Sequence, residues 1–255
     1  MLATSTPSRA TDWTGAASTD WFTAGNWSAG VPTSATPVHI STVTPRATVI
    51  GATGAQAQFV FIGDSTTGKL TIQNGGTLSN GLGEVGVGFG AVGTVTVDGA
   101  GSSWTNSANL ILGDTGAGTL TVQNGGKVSN VIGLLGSNAG SAGTATVDGA
   151  GSSWSSSGGL FVGSSGIGML TIQNGGKVTS NVVGAVGEGA GSIGSVTVDG
   201  AGSALTTSGS FDVGNSGTGT LIIRNGGNAS STSDGVVGVP EIGRASCRER
   251  VYLCV

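Results

Sequence analysis

Apolar and hydroxyl-bearing residues alternate in "TVTV" at residues 94–97 and in "TLTV" at 119–122. Alternation at period two marks a strand with one buried face. A different short strand precedes each of these and ends in glycine: "FVFIG", "EVGVG", "LILG", "VIGLLG", "LFVG", "VVGAVG" and "FDVG". A third kind follows: "TLSN", "SSWT", "KVSN", "SSWS" and "KVTS". No stretch combines a helical period with capping residues, so the pattern predicts strands and glycine-rich corners only.

The trio recurs at a fixed interval. The phrases "KLTIQNGGTLSN", "TLTVQNGGKVSN", "MLTIQNGGKVTS" and "TLIIRNGGNASS" align on Leu70, Leu120, Leu170 and Leu221. Between them "TVTVDGAGSSWT", "TATVDGAGSSWS" and "SVTVDGAGSALT" align on Val95, Ala145 and Val196. The interleaved anchors give a period of 25 in two alternating flavours. A unit this short cannot bury its apolar face alone, so it must stack on copies of itself. A propeller blade needs about 40–45 residues. Three short strands per 25 residues instead predict an all-β fold, a right-handed single-stranded parallel β-helix. About seven coils fit between residues 57 and 235, with an eighth begun at "VVGVP". At about 4.8 Å per coil those seven make a rod of roughly 35 Å.

Stacking in register predicts columns. One reads Gln73, Asp98, Gln123, Asp148, Gln173, Asp199, Arg224. The next reads Asn74, Gly99, Asn124, Gly149, Asn174, Gly200, Asn225. Asn and Gly tolerate positive φ best, so this second column predicts a left-handed corner. In the third strand Leu78, Val128 and Val178 alternate with Trp104, Trp154 and Leu205, predicting a core column of large over small.

Composition supports a folded rod with small residues. Glycine accounts for 51 of 255 residues, charged side chains for 9%, and the mean hydropathy is +0.23. Disorder requires low hydrophobicity with high charge, and collagen requires glycine at every third position. The net charge of −4 and the absence of a basic cluster before the last few residues argue against nucleic acid as a partner. No apolar run approaches the ~18 residues of a spanning helix, and "MLATSTPSRATDW" lacks the apolar core of a secretion signal. The chain is expected to be cytosolic or a fragment of a longer protein.

Residues 1–50 predict an N-terminal segment and cap, because an open solenoid end exposes core and unpaired edges. This segment holds Trp13, Trp21 and Trp27 and includes the strand-like "VHI" at residues 38–40. Residues 51–239 predict the repeats of a truncated rod, with no cap at their end. Residues 240–255 break the pattern and carry both cysteines, Cys247 and Cys254, with three of the nine basic residues. Within them "EIGRASCRERV" resembles one reading frame of a sequencing adapter, so this tail is expected to be non-native. Its C-x6-C spacing lacks the partners of a metal site.

Candidate chemistry is sparse. Asp98, Asp148 and Asp199 recur on every second coil, roughly 10 Å apart. That is close to the spacing of inverting glycosidase carboxylates, but Asp-Gly repeated at a corner reads first as turn chemistry. "GGKVSN" lacks the aspartate of calcium-binding β-rolls. "GVGFGAVG" lacks the strand-to-helix context of a phosphate loop. His39, the only histidine, has no elbow motif near it and reads as a strand surface residue. Trp104 and Trp154 suit sugar stacking in principle, yet their alternation with aliphatics places them in the core. Lys127 and Lys177 read as solvated. No catalytic residue, cofactor or metal ligand is assigned, and no small-molecule substrate is evident.

The full repeat, "GxGTLTVQNGGKVSN" followed by "GSAGTATVDGAGSSW", resembles the repeats of type V secretion autotransporter passengers and PEP-CTERM-associated exported proteins. The N-terminal "W…W…NW..G.P" pattern is similar to the start of such passengers. The resemblance covers nearly all of residues 10–239. It implies a surface-exposed rod held to the outer membrane by a C-terminal β-barrel translocator that lies outside this chain. A cysteine-free passenger agrees with crossing that membrane unfolded. The implied function is a stalk or adhesin, contacting host or neighbouring cell surfaces or itself. A PEP-CTERM-sorted exopolysaccharide-associated protein and a polysaccharide-cleaving β-helix enzyme are the alternatives.

Overall fold

A computed structural model describes residues 9–233 and, for the backbone, 235–237. Residues 240–255, expected to be a non-native tail, lie outside the described residues. Among the described residues, twenty-six short strands build three parallel sheets, of ten, eight and eight strands. The described residues contain no α-helix and one 3₁₀ turn, Ala24–Asn26. Each coil visits the first, second and third sheet in turn, as Phe59–Ile62, Thr67–Ile72 and Thr77–Asn80 do. Complete coils run from Val38 to Ser231. Thr11–Asp12 and Gly235–Val237 each add one strand beyond them, so the solenoid makes about nine turns.

Pairing follows the predicted columns. Val95, Leu120, Ala145, Leu170, Val196 and Leu221 are successive partners in the second sheet. Leu70 pairs with Val95, and the anchors from Leu70 to Val196 are buried. In the third sheet Leu78, Trp104, Val128, Trp154, Val178 and Leu205 stack in order, all at most 2% exposed. The large-over-small fit extends to the first sheet. A Cβ added at Gly83 would lie 2.7 Å from the Trp104 ring, and one at Gly133 2.9 Å from the Trp154 ring. Each indole therefore fills the room a glycine leaves.

The seven predicted coils are present, and the solenoid begins earlier than residue 51. Val38–Ile40, Thr48–Ile50 and Ala55–Gln56 form a complete coil whose first two strands lie inside the segment read as a cap. Its register step to the next coil is 22 residues, from Val38 to Val60 and from Thr48 to Leu70. The repeat spacing is 25, as from Leu70 to Val95, so a search at fixed period passes over it. The residues before Val38 cover the open end. Trp27 packs edge-on against Trp13 and Trp21, with ring centroids 5.0 and 4.7 Å apart. The Trp21 amide donates to the Val49 carbonyl and Val49 donates back to Thr19, closing the edge of the second sheet.

The interior also carries a polar column. Asn80, Asn106, Asn130, Ser156, Ser180 and Thr207 point inward at the end of the third-sheet strands and are nearly fully buried. Trp104 Nε1 donates to Asn80 Oδ1 at 2.7 Å, and Trp154 Nε1 to Asn130 Oδ1 at 2.6 Å. Asn80 Nδ2 donates to Asn106 Oδ1 and Asn130 Nδ2 to Ser156 Oγ. Burying the asparagines and Ser156 is tolerable because they satisfy one another and the indoles, and Ser180 Oγ donates to backbone carbonyls; Thr207 Oγ1 alone in the column has no partner among the described residues.

Candidate functional site

The outward surface consists of the three sheet faces and their corners, and the candidate residues fall at two kinds of place. The first is the corner after the second sheet. Asn74, Asn124, Asn174 and Asn225 adopt φ of 53–55°, with glycines at positive φ on the coils between. In three of these turns the asparagine amide reaches the coil before it. Asn124, Asn174 and Asn225 donate from Nδ2 to Asp98, Asp148 and Asp199 at 2.7–2.8 Å. Arg224 adds an exposed ion pair to Asp199 at 2.9 Å. The Asn225 hydrogen bond, with help from Arg224, holds the Asp199 carboxyl below its usual range. The three aspartates thus sit two coils apart, each accepting from its own asparagine.

Sequence reasoning missed a serine in the same corner. Gly125 N donates to Ser152 Oγ at 3.0 Å, and Ser152 Oγ donates to the Asp148 carbonyl. Ser203 repeats this with Gly175 and Asp199, and Ser102 accepts from Gly75. All three serines are buried. Because the serines and the neighbouring backbone secure the corner, the exposed Asn–Asp rung adds little. Asp148→Ala is expected to leave the fold intact and to cost at most about 1 kcal/mol, read by thermal melting.

The second place is the first coil. His39 Nδ1 lies 2.9 Å from Asp64 Oδ2, across the coil boundary, and the ring stacks on Phe61 with centroids 5.1 Å apart. Asp12 is its register partner on the other side. The Asp64 amide donates to Ser41 Oγ at 3.1 Å. An aspartate on Nδ1 orients an imidazole for proton transfer. Nε2 meets no hydrogen-bonding group among the described residues. His39 is partly exposed on the strand surface, and its pairing with Asp64 went unseen in the sequence because the partner lies on the next coil. Among the described residues no cluster of three His, Cys, Asp or Glu side chains is placed to hold a metal. Trp104 and Trp154 are fully buried, and Lys127 and Lys177 are exposed on the third sheet.

The outer face of the first sheet carries an unforeseen apolar stripe. Phe61, Glu84, Ile111, Leu134 and Phe161 are successive partners there. Glu84 is the exception in it. Burial among these side chains, and then the charges of Asp114 and Asp64, raise its pKa above the ordinary glutamate value. The folded state therefore holds this proton more tightly than the unfolded chain. Ionised Glu84 lowers stability at neutral pH, and that loss is recovered as pH falls through the raised value. Glu84→Gln is expected to melt higher than the parent at pH 7, with the gap closing on acidification; melting curves from pH 7 to pH 4 read this out.

Compared with protein-family models, with curated proteins and with solved structures, the chain matches none.

Proposed function

We propose that this chain belongs to a surface-exposed passenger rod of the autotransporter kind, serving as a stalk and adhesin through many weak contacts. The observation that carries this reading is the unbroken register of like groups on the third sheet's outer face. Ser79, Thr105, Ser129, Ser155, Thr179, Thr206 and Ser230 follow one another coil by coil. A rigid solenoid repeats such a group at about 4.8 Å. A partner with its own repeating polar surface meets the same contact many times, and linked weak contacts gain roughly 10²–10⁴ in avidity. The resemblance of the repeats to exported passengers supports a place at the cell surface, tethered by a translocator outside this chain. Host surfaces, neighbouring cells and a second rod are the partners this mechanism serves. Beads coated with the purified chain are expected to adhere to cultured host cells or to one another. A chain that promotes neither adhesion nor clumping contradicts the reading.

A further inference from the structure

The outer face of the second sheet differs chemically from that of the third. On the third, hydroxyls bond one another across coils: Ser129 to Thr105, and Thr179 to Ser155 at 3.0 Å. Exposed lysines, Lys127 and Lys177, interrupt that face. On the second sheet two ranks of threonine run side by side. Thr94, Thr119 and Thr144 form one, and Thr71, Thr96, Thr121, Thr146, Thr171 and Thr197 the other, in unbroken register. None of these hydroxyls has a protein hydrogen-bond partner among the described residues. Every one is at the surface and partly shielded by its neighbours. Lys69 and the exposed Met169 bound the shorter rank. Three successive coils therefore present complete Thr-x-Thr rungs.

This is a two-dimensional lattice of methyl and hydroxyl groups with no internal use for its hydroxyls. Its repeat is about 4.8 Å between coils and about 6.6 Å, two residues, along the strand. Tetrahedral water joined by O–H···O bonds of about 2.75 Å has a lattice of similar dimensions. Tetrahedral geometry then places second-neighbour oxygens about 4.5 Å apart, and the layer repeat of hexagonal ice is eight-thirds of the bond, about 7.3 Å. The mismatch along the strand, about 0.7 Å, occurs only once because the array is two threonines wide. Between coils it is about 0.3 Å per step. Over the three complete rungs that sums to about 0.6 Å, small against one water diameter. On the same outward face the next column is Asp98, Gln123 and Asp148, so the lattice ends at that corner and the rungs themselves offer water only hydroxyl and methyl groups.

We propose that the second-sheet face is an ice-binding surface, its ligand the prism face of crystalline water. The proposal is independent of the adhesin reading and stands if that reading fails.

The test is inhibition of ice recrystallisation by the purified full chain, scored as crystal size after annealing. The parent protein is expected to keep crystals small. Thr121→Tyr, which raises a ring out of the plane in the middle rung, is expected to need roughly tenfold more protein for the same effect. Lys177→Tyr, at an exposed position on the third sheet, is expected to match the parent. If Thr121→Tyr loses its circular-dichroism signature, Thr121→Val replaces it, keeping shape while removing the hydroxyl, and weaker inhibition is again expected. A parent chain without effect on crystal growth, or equal inhibition by parent and second-sheet variants, overturns the proposal. Adsorption to crystalline cellulose but not to ice, lost in the Thr121 variants, also overturns it and assigns the face to an ordered polysaccharide.

Discussion

Gly118→Ala is expected to destabilise the solenoid by about 3–5 kcal/mol, although it adds one methyl group. An added Cβ at Gly118 would lie 2.1 Å from the Val85 carbonyl oxygen and 2.3 Å from the Gly113 nitrogen. Both are backbone atoms, so no rotamer change relieves the contact. Gly118 has no positive φ; the requirement is close approach at the corner, not an unusual conformation. The in-register glycines Gly93, Gly143 and Gly168 meet a backbone oxygen of an earlier coil in the same way. Solenoid coils interact mainly with nearest neighbours, so the damage should be local. Hydrogen exchange is expected to lose protection in Leu82–Val85, Leu110–Leu112 and Ala117–Gln123 while Ala204–Thr207 retains it. Gly51→Ala is the control, since nothing lies within 4 Å of its Cβ and its φ is not positive. It should be neutral or stabilise by up to about 1 kcal/mol.

Trp154→Ala is expected to cost about 5 kcal/mol, at the upper end for a large-to-small core change. The indole is fully buried over Gly133, which offers no side chain to refill the space. Its loss also takes the donor from Asn130 Oδ1 inside the core. Trp154→Phe separates the two contributions. It keeps most of the volume, and the unsatisfied asparagine should still cost about 1–3 kcal/mol. Chemical denaturation with local exchange measurements reads both variants, because a repeat array need not unfold in one step. A Phe variant as stable as the parent would show that the Trp–Asn bond contributes nothing to the core.

Much of this architecture was legible in the sequence because stacking forces identical environments onto residues 25 apart. The Leu70-to-Leu221 anchors, the asparagine corner and the Trp104 and Trp154 column all report one local geometry many times over. Features seen once, or fixed by a neighbour in another strand, were not legible. The first coil steps by 22 residues and carries no NGG phrase, so periodicity is silent there. Asn80 and Asn130 end four-residue strands, too short for alternation to reveal that they face inward toward an indole. Nothing in its own coil marks Ser152, and only the fold brings it to the Gly125 amide of the previous coil. His39 and Asp64 belong to coils of unequal length, so no fixed offset links them. The apolar stripe on the first sheet was hidden because strands such as Leu110–Leu112 are apolar on both faces, so alternation does not separate outside from inside.

The measurement that tests the multivalent rod most directly is adhesion of beads as a function of the surface density of the purified chain. Weak contacts acting together predict adhesion that rises more steeply than density and that an excess of free monomeric chain competes poorly. Asp148→Ala beads should follow the same curve as the parent, because Asp148 ends a second-sheet strand, off the third-sheet face, and its loss leaves the fold intact. Adhesion strictly proportional to density and fully competed by free monomer would show one strong site instead. That result, or no adhesion at any density, would contradict a stalk and adhesin built from repeated weak contacts.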